Sequence, residues 1–229
     1  MRRPALLVFA KVPQAGRVKT RLCPPLTPRQ AADLYDAFLR DALDRYAALA
    51  DAASGTDAAI RLHLDGAARV PDWVPDGVEV LPQRGADLGE RMMRAFVQAF
   101  AAGHDRAVVI GTDHPTLPAE FIGLAFDALD DPLTAVLGPS DDGGYYLLGL
   151  NDVAPDLFDM DYSHPDVFTD TLDRVMELDM TPVVLPTHYD VDDGPALARL
   201  AADWRAGADV GERTALMLQR LTETGALAV

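Results

Sequence analysis

Lysine is almost missing from this chain: of its twenty basic residues only Lys11 and Lys19 are lysines, and 36 carboxylates leave a net charge of −16. So acidic a protein is a poor match for a nucleic-acid backbone or an anionic membrane, and neither is expected as a partner. Cysteine occurs once, as Cys23, which rules out an intrachain disulfide and makes the cytoplasm the expected compartment. Between Leu22 and Pro24, with no histidine or asparagine nearby, that cysteine reads as a small packing residue. Long apolar runs are lacking too. The start, MRRPALLVFAKV, has too few apolar residues before Lys11 for a signal peptide or a membrane span. The histidines fall without i,i+4 spacing or cysteine partners, so a zinc site is not expected.

What is present is unevenly distributed. The first acidic residue is Asp33, and every charged residue before it is basic. A cation-rich start on an acidic protein points to a local anion site. The other reading is a set of surface cations compensating the protein's own carboxylates.

The patterning is that of an α/β protein. ALLVFA (5–10) is a continuous apolar run suited to a strand buried on both faces. It is followed by a loop with Pro13 and Gly16, and then by a long amphipathic helix opened by Thr27, Pro28 and Gln30 as a capping box. Strands are expected at 57–64, 78–82, 106–111, 133–138 and 181–186. YYLLGL (145–150) reads as a further strand or the second arm of a local hairpin. Helices are expected at 87–103, opened by Asp87 and Glu90 and closed by Gly103, and at 118–129 and 164–178. A helical tail begins at about 195. Strands alternating with helices imply a mainly parallel sheet in a three-layer α/β/α arrangement, here as a single domain over 1–229. Ligands in such sheets gather at the carboxyl ends of the strands.

Four loops at those ends carry chemistry-capable residues. After the first strand, KVPQAGRVKTR fits neither a P-loop nor a dinucleotide fingerprint, yet it surrounds Gly16 with Lys11, Arg17, Lys19 and Arg21. Point-charge lysines and forked arginines together suit a polyphosphate. After the fourth strand comes GTDHPTLP, where Asp113 could hold Mg²⁺ or could cap the helix near Pro118, a job Thr116 could also do. In THYDVDDG, Asp190 and Asp192 point the same way if extended, and repel unless a cation lies between them. The alternative is an Asp-rich helix start capped by Asp192 or Asp193. In GPSDDGGYY, a tight turn exposes backbone N–H groups beside paired tyrosines, as an acceptor pocket or simply as a hairpin.

Taken together, KxPxxGxxKTRL, ADLGERM, GTDHPxL and GPSDDGGYYLLGL resemble a bacterial group of GT-A superfamily proteins usually named as glycosyltransferases. That group is similar to the enzymes that attach GMP to phospholactate and to molybdopterin. The resemblance covers residues 5–200, and DDGGYYLLGL is its most specific part. It implies a GT-A, nucleotide-diphospho-sugar transferase type of fold, with Ala10, Lys11, Gly16, Lys19 and Arg21 around a nucleotide's phosphates and Asp87, Gly89 and Arg91 bordering the nucleotide. It also implies Mg²⁺ (or Mn²⁺) on Asp113, Asp190 and Asp192, an acceptor facing Asp142, Gly143, Gly144, Tyr145 and Ser163, and catalytic roles for Lys19, Arg21 and Asp113. Two departures stand out. Asp193-Gly194 replaces the Thr-Pro of the late D-x-D-T-P motif, and DGGYY replaces the DGGTN of guanylyltransferase relatives, which argues against phospholactate.

The expected partners are a nucleotide, either an NTP or a nucleotide sugar, and a small-molecule acceptor, with a homodimer left open. A cation-rich first loop favours nucleotidyl transfer to a phosphorylated or carboxylated acceptor, because departing pyrophosphate needs positive partners. The usual label of the group favours glycosyl transfer. A non-catalytic nucleotide binder is the third reading.

Overall fold

The computed structural model describes residues 3–49, 57–66, 71–162 and 164–227. Among these residues seven strands form one sheet: β1 (Ala5–Lys11), β2 (Ala59–Asp65), β3 (Glu79–Pro82), β4 (Ala107–Ile110), β5 (Thr134–Pro139), β6 (Tyr145–Leu150) and β7 (Thr181–Val184). Their order is β3-β2-β1-β4-β6-β5-β7, with β6 alone antiparallel to its neighbours. The apolar run of β1 has the surroundings its composition requires, being paired in parallel with β2 on one side and β4 on the other. The segment 145–150 meets both expectations for it. It returns from β5 as a hairpin arm, and it also inserts between β5 and β4 as a central strand.

Among the described residues there are six α-helices, and four of them cover the sheet. Helices α1 (Pro28–Leu49) and α3 (Glu120–Ala128) pack on one face through Leu39, Leu43, Ile122 and Phe126. Helices α2 (Leu88–Ala101) and α4 (Val167–Glu177) pack on the other through Met92, Phe96 and Val175. Local signals set their starts. Thr27 N–H donates to Gln30 Oε1 at 2.9 Å while Gln30 N–H donates to Thr27 Oγ1 at 3.3 Å, which is the expected capping box. The carboxylate of Asp87 accepts from Glu90 N–H at 2.8 Å and caps α2.

The carboxyl-terminal tail is two helices, α5 (Gly194–Arg205) and α6 (Glu212–Glu223), and it is part of the core. Leu197, Leu218 and Leu221 pack with Leu34 and Phe38 of α1 and with Leu22 of the first loop. The tail therefore braces the loop that carries the basic residues. Asp41, only 8% exposed, fastens α6 to α1: its carboxylate accepts from the backbone N–H groups of Arg213 and Thr214 and pairs with the Arg213 guanidinium at 3.1 Å. Gly211, at φ +87°, leaves room for it, since a Cβ there would lie 2.4 Å from an Asp41 oxygen. Asp41→Ala orphans two helix-end donors and leaves the Arg213 guanidinium with Asp44 alone, and should cost about 2–4 kcal/mol. In a thermal melt the midpoint should fall by roughly 5–15 °C; a fall under about 2 °C would show that the clamp is dispensable.

Candidate active site

The chain runs β1 to β2 to β3 outward on one side and then crosses back to β4 on the other, so the strand order reverses between β1 and β4. A crevice opens at the carboxyl ends of strands at such a switch point. Here it is a cleft of about 730 Å³, bordered by the loops after β1, β3, β4, β5 and β7.

The first loop is held by its apolar residues. Val18 packs on Ala32 and Tyr35 of α1, and Leu22 is fully buried in the α1–α5–α6 cluster. Between them Lys19 takes a left-handed conformation (φ 48°, ψ 39°), which costs a non-glycine residue roughly 1 kcal/mol. That conformation turns its side chain inward. Lys19 Nζ hydrogen-bonds Asp192 Oδ1 at 2.5 Å, ion-pairs with Asp113 Oδ1 at 2.6 Å and stands 5.8 Å from the centre of the Tyr35 ring. Burial pulls the lysine pKa down, but the attraction of Asp113 and Asp192 outweighs it and the pKa is raised. The ammonium expected to face phosphate is thus 4% exposed and lies against two carboxylates.

The other cations behave differently. Lys11, Arg17 and Arg21 are exposed on the cleft, and among the described residues their side chains have no ion-pair or hydrogen-bond partner. Ala10 also lines the cleft, its carbonyl accepting from Gln83 Nε2 at 3.0 Å. Gly16 sits at φ +76° in the exposed turn with open space around it, outside the cleft lining.

The aspartates converge from separate elements. Asp113 follows β4, and its carbonyl accepts from Val191 N–H at 2.9 Å, which ties that loop to the 190–192 segment. Asp193, whose carboxylate accepts from Ala196 N–H at 3.0 Å, is the cap of α5. Asp192 is thereby left to the cleft. Thr116 does not cap α3, because its hydroxyl meets His188 Nε2 at 3.0 Å. Asp190 takes a 3.3 Å hydrogen bond from the Ser140 hydroxyl. Burial first, and then the neighbouring carboxylates Asp192 and Asp142, push its carboxyl up to about 6, while the Lys19 ammonium holds Asp192 low against the opposing effect of burial. Among the described residues no three histidine, cysteine or acidic side chains already converge as a ready-made metal cage.

The turn after β5 presents Asp142 to the cleft, its carboxylate accepting from Gly144 N–H at 2.9 Å. Gly143 stands behind it against the Pro165 carbonyl, outside the lining. The two tyrosines lie on opposite faces of β6, as strand parity demands. Tyr145 borders the cleft with its hydroxyl toward Met92 Sδ at 3.8 Å, whereas the Tyr146 hydroxyl is spent on the Pro186 carbonyl at 3.0 Å. Both tyrosines line the cleft, but neither hydroxyl is without a partner. Asp87 and Arg91 line the other end, Arg91 pairing with Asp65 at 3.2 Å. Gly89 lies away from the cleft, buried where a Cβ would meet the Tyr162 ring at 2.5 Å. Ser163 lies outside the described residues.

Three cleft residues carried no signal in the sequence. Tyr35 backs Lys19 and accepts from Lys11 N–H at 2.9 Å, Gln83 bridges the β1 and β2 carbonyls of Ala10 and His63, and Ser140 supports Asp190. Tyr35 sits in the apolar stripe of α1, where it is indistinguishable from core.

The family described as "Uncharacterized protein conserved in bacteria (DUF2064)" matches residues 46–164. A protein of Desulfovibrio desulfuricans G20, named as a candidate nucleotide-diphospho-sugar transferase, is 31% identical, with a TM-score of 0.87 over 97% of this chain and 96% of its own. Two more distant structures share the fold. One is CMP:2-keto-3-deoxy-manno-octonic acid synthetase complexed with CTP, with 13% identity, TM-score 0.54 and coverage of 89% and 99%. The other is a cytidylyltransferase of Leptospira borgpetersenii serovar Hardjo-bovis, with 12% identity, TM-score 0.53 and coverage of 99% and 96%. Among curated proteins none matches the chain. The fold is that of nucleotide-diphospho-sugar transferases and cytidylyltransferases, as expected. Among the described residues no helix is long and apolar enough to cross a membrane.

Proposed function

The chain belongs to the DUF2064 family, and from its cleft we propose that it is a metal-assisted, nucleotide-using transferase whose donor binds by its phosphates. One observation carries this reading. In a protein of net charge −16, Lys11, Arg17 and Arg21 stand unpaired among the described residues on one rim of the cleft that Asp113, Asp190 and Asp192 also line. Cations left without a protein partner when carboxylates are abundant have an external anion to meet. A polyphosphate with a divalent cation satisfies both groups at once.

The aspartates fit a hard cation by donor type, since all are carboxylates. Burial first, and then the carboxylates of Asp192 and Asp142, push the Asp190 carboxyl up to about 6, and a bound cation would offset both effects. Mg²⁺ or Mn²⁺ would be held by Asp190 with Asp113 and Asp192, and when bound supplies polarisation of a phosphate oxygen. The chain's own residues do the rest. Arg21, Arg17 and Lys11 take up charge on the outer phosphates, Asp142 orients the acceptor, and Tyr145 closes its far side.

Of the two chemistries such a site serves, nucleotidyl transfer accounts for more of what is seen. An acceptor oxygen attacks the α-phosphorus, the bond from that phosphorus to the bridging oxygen of the β-phosphate breaks, and pyrophosphate departs onto the unpaired cations. Glycosyl transfer from a nucleotide sugar is the second reading, favoured by the name of the 31% identical relative.

A thermal-shift series of NTPs and nucleotide sugars, each in Mg²⁺ and in EDTA, separates them. At a hundredfold excess over Kd a true donor stabilises by about 2.7 kcal/mol, a midpoint rise of roughly 5–10 °C. A rise with one NTP, larger in Mg²⁺, is the expected result. A rise confined to nucleotide sugars selects glycosyl transfer, and binding without turnover of any acceptor leaves a nucleotide-binding protein. No rise with any nucleotide overturns the proposal.

A further inference from the structure

The proposed site leaves one cation unaccounted for. Lys19 belongs to the same basic loop as Arg17 and Arg21 and borders the same cleft, yet it is the one whose ammonium is already paired with carboxylates. Its side chain is 4% exposed, whereas Asp113 and Asp192, which it contacts at 2.6 and 2.5 Å, are 39% and 43% exposed. The carboxylates therefore stand between the ammonium and solvent. Behind the ammonium is the Tyr35 ring, fixed by its hydrogen bond from Lys11 N–H. The backbone is pinned on either side by Val18 and Leu22 and held left-handed at Lys19 itself. To meet a phosphate the ammonium would have to give up its contacts with Asp113 and Asp192.

The charge count explains what such an arrangement is for. Two carboxylates converging on one point repel. A fixed ammonium in contact with both, at 2.6 and 2.5 Å, offsets that repulsion and holds the two side chains in place. Asp113, Asp190 and Asp192 against one ammonium leave two negative charges facing the cleft, the complement of a divalent cation.

Resting on the reading of the cleft as a metal-assisted nucleotide site, we propose that Lys19 is a positioning residue: an internal counter-ion that clamps Asp113 and Asp192 from beneath and leaves phosphate binding to Lys11, Arg17 and Arg21. It acts through the carboxylates and touches neither donor nor acceptor.

The test uses Lys19→Met and the double variant Lys19→Met/Asp192→Asn, with Mn²⁺ alone and inorganic pyrophosphate alone as probes. In EDTA, Lys19→Met should melt at least about 5 °C below the parent. Adding Mn²⁺ should raise its midpoint by more than it raises the parent's, because the metal takes over the missing positive charge. The double variant, which removes one positive and one negative charge, should regain most of the loss in EDTA. Pyrophosphate binding in EDTA, read by calorimetry, should change less than about threefold in Lys19→Met.

A tenfold loss of pyrophosphate affinity with an unchanged melt would make Lys19 a phosphate ligand and overturn the proposal. So would an EDTA midpoint and Mn²⁺ response equal to the parent's. Should Lys19→Met not fold, the double variant decides alone: recovery supports the counter-ion, and failure to recover overturns it. If the parent protein binds neither pyrophosphate nor any nucleotide, the functional reading fails, while the melting and Mn²⁺ measurements still judge Lys19 by itself.

Discussion

Gly143→Ala, a single-methyl change just behind the cleft, should lower stability by about 3–5 kcal/mol. Two independent constraints meet at this position. The backbone is left-handed at φ +91°, which already disfavours any side chain. An added Cβ would also lie 1.7 Å from the Pro165 carbonyl oxygen and 2.6 Å from its carbon, and these are backbone atoms that cannot swing aside. Nor can the turn retreat. Gly143 N–H donates to Ser140 O at 3.1 Å, and Gly143 O accepts from Phe168 N–H at 2.9 Å in the first turn of α4. The variant must tear the turn from α4 or displace the chain around Pro165, and either moves Asp142 out of the cleft. Urea and thermal unfolding measure the loss. A variant within about 3 °C of the parent would show that the segment around Pro165 yields, and that the turn is less constrained than its contacts imply.

Asp113→Asn is the second large effect, and it should fall on chemistry and spare the fold. The substitution keeps the shape, and the backbone of residue 113 still accepts from Val191 N–H. Lys19 also retains Asp192. What disappears is one of the three anionic charges available to a cation. With the donor identified by thermal shift, turnover should drop by about 100-fold or more, because a transition state that gathers charge on phosphate loses preorganised stabilisation. The part of the nucleotide-induced midpoint rise that depends on Mg²⁺ should vanish, and the part seen in EDTA should remain. Retention of full Mg²⁺ dependence would remove Asp113 from the metal assignment.

Much of this architecture was legible before folding was considered, because it is governed by short-range rules. An unbroken apolar run made β1 a strand buried on both faces, Thr27 with Gln30 opened α1, and Asp87 opened α2. Glycines between strands marked the turn that Gly143 now occupies at positive φ. These outcomes depend on residues within about four positions of one another, where the backbone itself sets the geometry. The four loops of interest could also be named, because each follows a recognisable strand. What each residue does inside them could not. By sequence either Asp192 or Asp193 can cap α5, and the fold gives the role to Asp193, which accepts from Ala196 N–H. Lys19 reads as one more cation of a basic loop, and only a contact across 173 positions turns it beneath Asp192. Tyr35 hides in a helical stripe, Ser140 in a strand end, and the tail's bracing of the first loop in an ordinary amphipathic pattern. A side chain's charge and size belong to the sequence, but its partners, and hence whether a lysine meets a phosphate or a carboxylate, are decided by which distant segments the packed sheet brings together.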